Sequence, residues 1–327
     1  MTSERHVSTG SLPPSEEVRA TISEAHGAFA PHDAGLPSAT YPALAAVDPT
    51  LFGICVAGVS GSLFSVGDAA TTFPIMSVAK PFTFALVCDA VGVDVAREHL
   101  GVDATGLPFD SVEAVERRRG QTNPMVNAGA IAAVGLLGVP AEEAWPKIQA
   151  GLSEFAGREL VLDDAVLRSA EETNLRNRAI ALLMDAHGAL GERPLALLDT
   201  YTRQSCLAVT ANDLAVMGAT LADGGVQPVT GRRVVSEASC RAALAVMATA
   251  GMYEHSGEWL YRVGLPGKSG IGGGLVAVAP GKGALGVFSP PLDAAGNTVR
   301  GQLVAERLSA RLGLDLFAST PRQPDSD

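Results

Sequence analysis

The sequence predicts an α+β fold in which an antiparallel sheet, built from both ends of the chain, is flanked by helices and interrupted by an inserted helical domain. Three observations favour this class. Short apolar runs bounded by glycine occur near residues 51–76 and 274–289, and the middle of the chain has apolar residues at helical spacing. Hydrophobic residues make up 47% of the 327 residues and charged residues 18%. This composition supplies a large buried core and excludes a disordered chain.

The first strands are expected after a polar amino-terminal arm and one helix. Residues 1–20 are polar, and a helix starting at about Ser15 would present one apolar face. From Leu51 onward, the runs LFGICVAG and SLFSVGD predict a β-hairpin, and TTFPIMS predicts a third short strand. A long buried helix is expected from Ser77. Pro81 does not argue against this helix, because a proline is tolerated in a first helical turn.

The middle of the chain is predicted to be mainly helical, and strands return before its end. Gly, Pro, Asp or Asn residues separate segments whose apolar residues follow helical spacing. These segments are 127–137, 141–155, 177–186, 194–205, 211–223 and 236–250. Two strands at 274–280 and 284–289 are expected next, and a helix over about 298–312 precedes a solvated tail.

We therefore expect four regions along the chain. Residues 1–20 form the polar arm, 21–92 and 261–315 together form a sheet-containing α/β part, 93–260 form a mainly helical part, and 316–327 form the tail. The two large parts must bury their apolar faces against each other. A ligand site is expected in the cleft between them, which is a usual place for one.

Charge and composition exclude several kinds of partner. The chain has 24 basic and 35 acidic side chains and a formal net charge of −11, which argues against a nucleic acid or an anionic membrane. The longest apolar stretch, residues 128–140, is shorter than the ~20 residues that span a bilayer, and the first residues lack the apolar segment of a signal peptide. The four cysteines are widely spaced, and the six histidines form no HExxH motif. We expect a cytoplasmic protein without a metal site.

One short motif, SVAK at residues 77–80, has the pattern of a nucleophile and its base. It places a hydroxyl and an amine on one face of a helix start, with Cβ atoms ~5–6 Å apart. The backbone N–H of Ser77, unpaired at a helix start, can help to hold an oxyanion. Lys80 is one of just four lysines in the chain, and unlike arginine a buried lysine can lose its proton and accept that of the serine. The ordinary alternative is a helix cap beside a surface lysine.

A second lysine motif, Lys268-Ser269-Gly270, precedes the carboxyl-terminal strands. A Lys-Ser-Gly on an edge strand beside Ser-x-x-Lys is similar to the arrangement in serine β-lactamases and penicillin-binding proteins. Two of the four lysines fall in these two motifs. The pair therefore favours a β-lactamase/penicillin-binding-protein-like fold, with Lys268 and Ser269 in supporting roles.

Longer stretches resemble the bacterial glutaminase family, whose members share this fold and hydrolyse the side-chain amide of L-glutamine. They occur in the family's order over about residues 40–313. They are YPALA (41–45), FPIMSVAK (73–80), NPMVNAGAI (123–131), RNRAI (176–180), Tyr201 with the QSC that follows it, GMY (251–253), SGEWLYRVGLPGKSGIGGG (256–274) and SPPLDAAGNTVRG (289–301). NAGAI, GKSGIGGG and the SPPLD stretch are long and unusual, so the match is specific.

The resemblance implies catalytic roles for four side chains. Ser77 would be the nucleophile and Lys80 its base. Tyr41 and Tyr201 would lie beside them, with Tyr201 as a proton relay. Serine, lysine and tyrosine suffice for this chemistry, so no organic cofactor is implied.

The resemblance also implies substrate contacts. Asn127 and Asn177 would hold the α-amino and α-carboxylate ends of glutamine, and Tyr253 would close the pocket. The backbone N–H of Ile271, where the family usually has valine, would be the second oxyanion donor after that of Ser77. Helix capping and core packing are the alternative roles for these asparagines and tyrosines.

The chain departs from the family pattern at one glutamate. In the family this glutamate stands seven residues before the asparagine matched by Asn177 and binds the substrate's amino group, whereas this chain has Ala170 there. We expect Glu171 to take the role after a one-residue shift. The alternatives are a weakened amino-group contact or a changed choice of substrate.

The expected function is a serine-dependent amidohydrolase that converts L-glutamine to L-glutamate and ammonia. Two other functions stay open at this point: a β-lactamase or D-Ala peptidase-like serine hydrolase, and a catalytically weak glutamine-binding sensor. The first is disfavoured because such enzymes act outside the cytosol, and the second because an inert binder would not need Ser77 and Lys80. Family members commonly self-associate, so we expect a homo-oligomer, a dimer or a tetramer.

Overall fold

The structure, a computed structural model, describes residues 10–191 and 193–319, without the side chains of Ala141 and Glu142. Residues 1–9 of the predicted arm and 320–327 of the predicted tail lie outside the described residues. The α-helices are α1 (Ser15–Phe29), α2 (Pro42–Ala45), α3 (Ala79–Val91), α4 (Val93–Leu100), α5 (Val112–Arg118), α6 (Asn127–Gly135), α7 (Ala141–Ala156), α8 (Asp164–Thr173), α9 (Leu175–Ala186), α10 (Pro194–Ser205), α11 (Ala211–Ala222), α12 (Glu237–Ala250), α13 (Ser256–Val263) and α14 (Val299–Arg311). The strands are β1 (Gly53–Gly58), β2 (Leu63–Gly67), β3 (Phe73–Pro74), β4 (Ala208–Val209), β5 (Gly267–Ser269), β6 (Gly274–Ala279) and β7 (Gly283–Phe288).

Five strands form one antiparallel sheet in the order β2-β1-β7-β6-β5. The predicted hairpin is β1 with β2, and β1 pairs on its other side with β7, where Cys55 lies opposite Gly286. The sheet is therefore built from both ends of the chain, as predicted. The third predicted strand is only two residues long, and it pairs with β4 outside this sheet because the chain turns at once into a 3-10 helix, Met76–Val78.

Each face of the sheet has its own apolar core, because side chains alternate between the two faces of a strand. Ile54 and Val56 of β1 belong to the core that contains residues of α1 and α14. Cys55 and Ala57, the alternate residues, belong to the larger core with α11 and the helices of the middle region. Burial on both faces explains why β1, β6 and β7 read as continuous apolar runs.

Helix α11 lies directly on β7, β1 and β6. The approach is so close that a Cβ atom at Gly286 would lie 2.2 Å from the Ala211 carbonyl oxygen, and one at Gly218 would lie 2.6 Å from the Ala284 Cβ. By sequence position α11 falls in the region predicted to be mainly helical, yet in space it covers the sheet. The predicted domain boundaries at 92/93 and 260/261 stay a prediction.

Helix α1 begins at Ser15, inside the range assigned to the polar arm, because Val18 and Ile22 are buried against the sheet. The helix expected from about Ser15 is therefore present, although its first turns lie in a segment whose composition is polar. Across residues 10–191 and 193–319, no helix is both long and apolar enough to cross a lipid bilayer.

Candidate active site

Ser77 lies in the 3-10 helix Met76–Val78, immediately before α3. The residue before it, Met76, has φ 47°, a left-handed conformation that is strained for a non-glycine residue and often marks a functional site. Gly270 of the Lys-Ser-Gly motif packs against this turn, since a Cβ atom there would lie 3.1 Å from the Ser77 backbone nitrogen. The two lysine motifs, almost 190 positions apart in the sequence, therefore meet as the β-lactamase-like pattern predicted.

Lys80 occupies the first turn of α3 and is only 2% exposed. Its Nζ donates to Asn127 Oδ1 at 2.7 Å and to the Met125 carbonyl oxygen at 3.3 Å. Burial lowers the pKa of Lys80 to about 7, and the negative charge of Asp110 opposes part of this shift. A substantial fraction of the amine is therefore neutral at neutral pH and able to accept a proton.

Asn127 begins a chain of hydrogen bonds that fixes the polar wall of the site. Its Oδ1 also accepts the Tyr201 hydroxyl at 3.1 Å, and its Nδ2 donates to Asn177 Oδ1 at 2.8 Å. Asn177 Nδ2 donates to Asn174 Oδ1 at 2.7 Å, and Asn174 Nδ2 donates to Thr202 Oγ1 at 3.0 Å. Because each amide NH₂ has two hydrogens, Asn127 and Asn177 each keep a second hydrogen after these bonds.

Tyr253 and the Lys-Ser-Gly strand form the layer behind Ser77. The Tyr253 hydroxyl donates to the Ser269 carbonyl oxygen at 3.1 Å, and the Lys268 Nζ lies 3.9 Å from the Tyr253 ring centroid. Lys268 is fully buried and donates to the same carbonyl oxygen at 2.6 Å. Burial, and secondarily the nearby Lys80, hold the pKa of Lys268 well below its ordinary value. The Ser77 side chain reaches the Tyr253 hydroxyl and offsets part of the rise that burial causes in the tyrosine pKa.

Tyr41 and Tyr201 face the site from two other elements, the start of α2 and the middle of α10. Burial raises the pKa of Tyr41 to about 12, and burial raises that of Tyr201 well above its ordinary value. Both hydroxyls therefore keep their protons at neutral pH and act as hydrogen-bond donors.

These side chains surround a cavity of about 740 Å³, a volume that includes the solvent at its mouth. Six of the residues predicted from the sequence line it: Tyr41, Ser77, Asn127, Asn177, Tyr201 and Ile271. Among the described residues, the Ile271 backbone N–H donates to no protein acceptor. Lys80, Tyr253, Lys268 and Ser269 stand behind this lining.

Glu171 is the predicted site residue that the structure does not bring to the cavity. Ala170 lines the cavity, whereas Glu171 is exposed on α8. Successive residues of an α-helix point about 100° apart, so a helix that turns Ala170 toward the cavity turns Glu171 away. The one-residue shift expected from the sequence is therefore not present.

The lining residues that have no counterpart among the predictions include Asp110, Asn174 and Arg176. Asn174 could have been found from the sequence, because it stands one helical turn before Asn177 at the break between two helices. Asp110 follows α4 in an irregular segment, where no periodicity marks a side chain that folds back toward Ser77.

The fold and the site together define the class of the protein. An antiparallel sheet from both chain ends carries Lys-Ser-Gly on its edge strand β5, beside a Ser-x-x-Lys at a helix start. This is the arrangement of serine hydrolases with a β-lactamase-like fold.

Comparison with known proteins gives the family. The sequence model of the family described as Glutaminase matches residues 35–317. Glutaminase 2 of Yersinia pestis is 56% identical over 97% of this chain and 94% of its own length, and a glutaminase of Brucella canis is 44% identical over 93% and 97%. A solved structure named Probable glutaminase ybaS is 38% identical with a TM-score of 0.91, covering 94% of this chain and 100% of that chain. The chain belongs to the glutaminase family, which confirms the resemblance, the enzyme class and the predicted fold.

Proposed function

We propose that this protein hydrolyses the side-chain amide of L-glutamine to L-glutamate and ammonia, with Ser77 as nucleophile and Lys80 as base. The family supports this reaction, because relatives named glutaminase match this chain over nearly their whole length. One observation carries the mechanism: Lys80 is fully buried, one helical turn from Ser77, with a pKa lowered to about 7. A lysine with that pKa can act as a general base at neutral pH.

In the first half of the reaction, the Ser77 hydroxyl oxygen attacks the carbonyl carbon of the amide while its proton passes to the Lys80 amine. The backbone N–H groups of Ser77 and Ile271 donate to the resulting oxyanion. The C–N bond then breaks, and the proton held by Lys80 goes to the leaving nitrogen, which departs as ammonia. The Tyr201 hydroxyl shares the Asn127 oxygen with Lys80, which suits it to relay this proton.

After ammonia leaves, the substrate is joined to Ser77 by an ester. In the second half, a water molecule attacks the carbonyl carbon of this ester and gives a proton to Lys80. Collapse of the second tetrahedral intermediate breaks the bond to the Ser77 oxygen, which recovers its proton from Lys80. L-Glutamate leaves, and the enzyme returns to its starting state. The same two backbone N–H groups stabilise the oxyanion of the tetrahedral intermediate in both halves of the reaction.

Binding of an amino acid requires fixed polar groups at its charged end. The remaining amide hydrogens of Asn127 and Asn177 and the protonated Tyr41 hydroxyl supply donors that suit an α-carboxylate, whereas the Tyr201 hydroxyl donates its hydrogen to Asn127 Oδ1. Because the amides are fixed by a hydrogen-bond chain across three helices, little side-chain entropy is lost when they bind substrate.

The direct test is ammonia release from L-glutamine by the wild type and by Ser77→Ala, with D-glutamine and L-asparagine as control substrates. We expect turnover of L-glutamine in the wild type and a loss of roughly a thousandfold or more in the variant. Circular dichroism establishes that the variant is folded. Residual turnover in Ser77→Ala close to that of the wild type would contradict a serine nucleophile.

We also propose a cytoplasmic location and a homo-oligomeric state. All four cysteines are free and buried, which suits a reducing compartment. Leu175 and Leu182 of α9 are 73% and 53% exposed, and Leu195 of the adjacent α10 is 53% exposed. Leu175 and Leu182 are seven residues apart and so lie on one face of α9, and an exposed apolar face is typical of a contact with a second copy. Light scattering after size exclusion gives the mass, and a monomer at high concentration would contradict the oligomer.

A further inference from the structure

We propose that the Asp110 carboxylate receives the α-ammonium group of the substrate, in place of the glutamate that Ala170 has displaced. The inference deepens the proposed function and rests on it, because it assigns the group that recognises the amino end of glutamine. It replaces the sequence-based expectation that Glu171 has this role.

Asp110 lies in the wall of the same cavity as Ser77 and Tyr201. Of the described residues that line this cavity, Asp110 alone carries a carboxylate. Its negative charge also acts on Lys80 and Tyr201. The side chain is 32% exposed, which places it at the rim, where the charged end of an amino acid would enter.

The Asp110 carboxylate is held in place and still has acceptor positions to offer. The Arg176 Nε lies 3.0 Å from Asp110 Oδ2 and donates to the Asp110 backbone oxygen at 3.1 Å. These contacts fix the segment to α9. Within the described part of the chain, no donor forms a hydrogen bond with Asp110 Oδ1, and a carboxylate offers about four acceptor positions. The oxygen is available to a bound ammonium group.

Asp110 supplies a charge that the other acceptors of the cavity lack. The amide oxygens of Asn127, Asn177 and Asn174 carry no net charge, and each already accepts at least one hydrogen bond from a protein donor. The Ala170 side chain contributes no polar atom, and Glu171 is exposed and does not line the cavity. Among the described residues that line the cavity, a cationic group would therefore meet one carboxylate, that of Asp110.

The test compares substrates with and without the α-amino group in wild type and Asp110→Asn, a change that keeps the shape and removes the charge. L-Glutamine and glutaramate, which is glutamine without its amino group, are the two substrates. We expect kcat/KM for L-glutamine to fall about 10- to 100-fold, mostly through KM, since a charged hydrogen bond is lost. For glutaramate we expect a change of less than about threefold, because it has no group for Asp110 to bind.

Glu171→Gln tests the competing assignment, and Glu172→Gln, an exposed neighbour on α8, is the matched control. An equal fall for both substrates in Asp110→Asn would overturn the proposal, because Asp110 would then act only through Lys80 or through the fold. A selective loss for L-glutamine in Glu171→Gln instead would also overturn it.

Wild-type turnover of L-glutamine is the separate test of the proposed function. If the wild type releases no ammonia, calorimetry with L-glutamate and glutarate makes the same comparison without turnover. A loss of affinity in Asp110→Asn for L-glutamate alone would still support the ammonium site, and equal affinities in both proteins would overturn it.

Discussion

At the scale of single residues, the protonation of Lys80 decides when the site can react. Only the neutral amine accepts the serine proton, so kcat/KM for L-glutamine should rise with pH through a midpoint near the lowered pKa of about 7. Asp110 raises that pKa, so Asp110→Asn should move the midpoint to lower pH. The measurement is kcat/KM for L-glutamine from about pH 5.5 to 9. A midpoint that does not move would contradict this electrostatic coupling.

The Tyr201 hydroxyl gives a second prediction for a single residue. Tyr201→Phe removes the donor to Asn127 Oδ1 and the proposed proton relay, so kcat should fall roughly 100-fold. Tyr261→Phe is the control, because Tyr261 is 91% exposed and its variant should retain full activity. Steady-state ammonia release measures both, and similar rates for the two variants would exclude a relay through Tyr201.

The site shows how far sequence reasoning reaches at this scale. Ser77 and Lys80 were predictable because their chemistry depends on a local spacing along one helix. Asp110 was not, because whether it faces the cavity depends on the packing of distant segments around it, whereas Ala170 could be placed at the site from the family pattern. The direction of Glu171 followed from helix geometry only after α8 had been placed against the cavity.

At the scale of elements, α11 packs so closely on β7 that we expect no side chain to be tolerated at Gly286. Gly286→Ala would place a Cβ atom 2.2 Å from the Ala211 carbonyl oxygen, so the free energy of unfolding should fall by about 1–3 kcal/mol. Gly27→Ala is the matched control. It lies within α1, and nothing stands within 4 Å of the added Cβ.

In that control the free energy of unfolding should rise by about 0.5–1 kcal/mol, because alanine favours the helix. Urea denaturation of both variants measures the two changes. Changes of the same sign would mean that α11 does not pack on the sheet as closely as described.

The helices and strands that the sequence predicted best are those whose buried face in the fold coincides with the spacing of their apolar residues. Helix α10 has the predicted bounds, and α11, β6 and β7 lie within one residue of theirs. Helices α4, α5 and α13 were not identified one by one because eight or fewer residues carry too little periodicity. The pairing of β3 with β4 could not be inferred, since each has two residues and 133 positions separate them.

At the scale of the whole molecule, the burial of Lys80 should lower the free energy of unfolding. Lys80 has a pKa of about 7 in the folded protein, below its ordinary 10.5, so the unfolded chain binds the extra proton between these values. The free energy of unfolding of the wild type, relative to Lys80→Met, should therefore rise as pH increases from about 7 to about 10. Below that window, Lys80→Met should be more stable by an amount on the order of a few kcal/mol.

Chemical denaturation of both proteins across this pH window gives the difference directly. Lys268 is present in both, so the effect of its own burial cancels, and only its electrostatic coupling to Lys80 remains in the difference. A difference that does not depend on pH would mean that the folded protein keeps Lys80 protonated, and would also weaken its role as the base.

The order of the sheet has a consequence for how the protein is made in the cell. Strand β1 ends at Gly58, but its neighbour β7 begins at Gly283, so the ribosome must synthesise more than 220 further residues before the two can pair. At about 5–20 residues per second this takes roughly 10–45 s. During that interval the β1–β2 hairpin can pack against α1, which precedes it, but the other edge of β1 has no strand to pair with and is exposed to the chaperones that bind such nascent segments. We therefore expect the native five-stranded sheet to form only after β7 has left the exit tunnel.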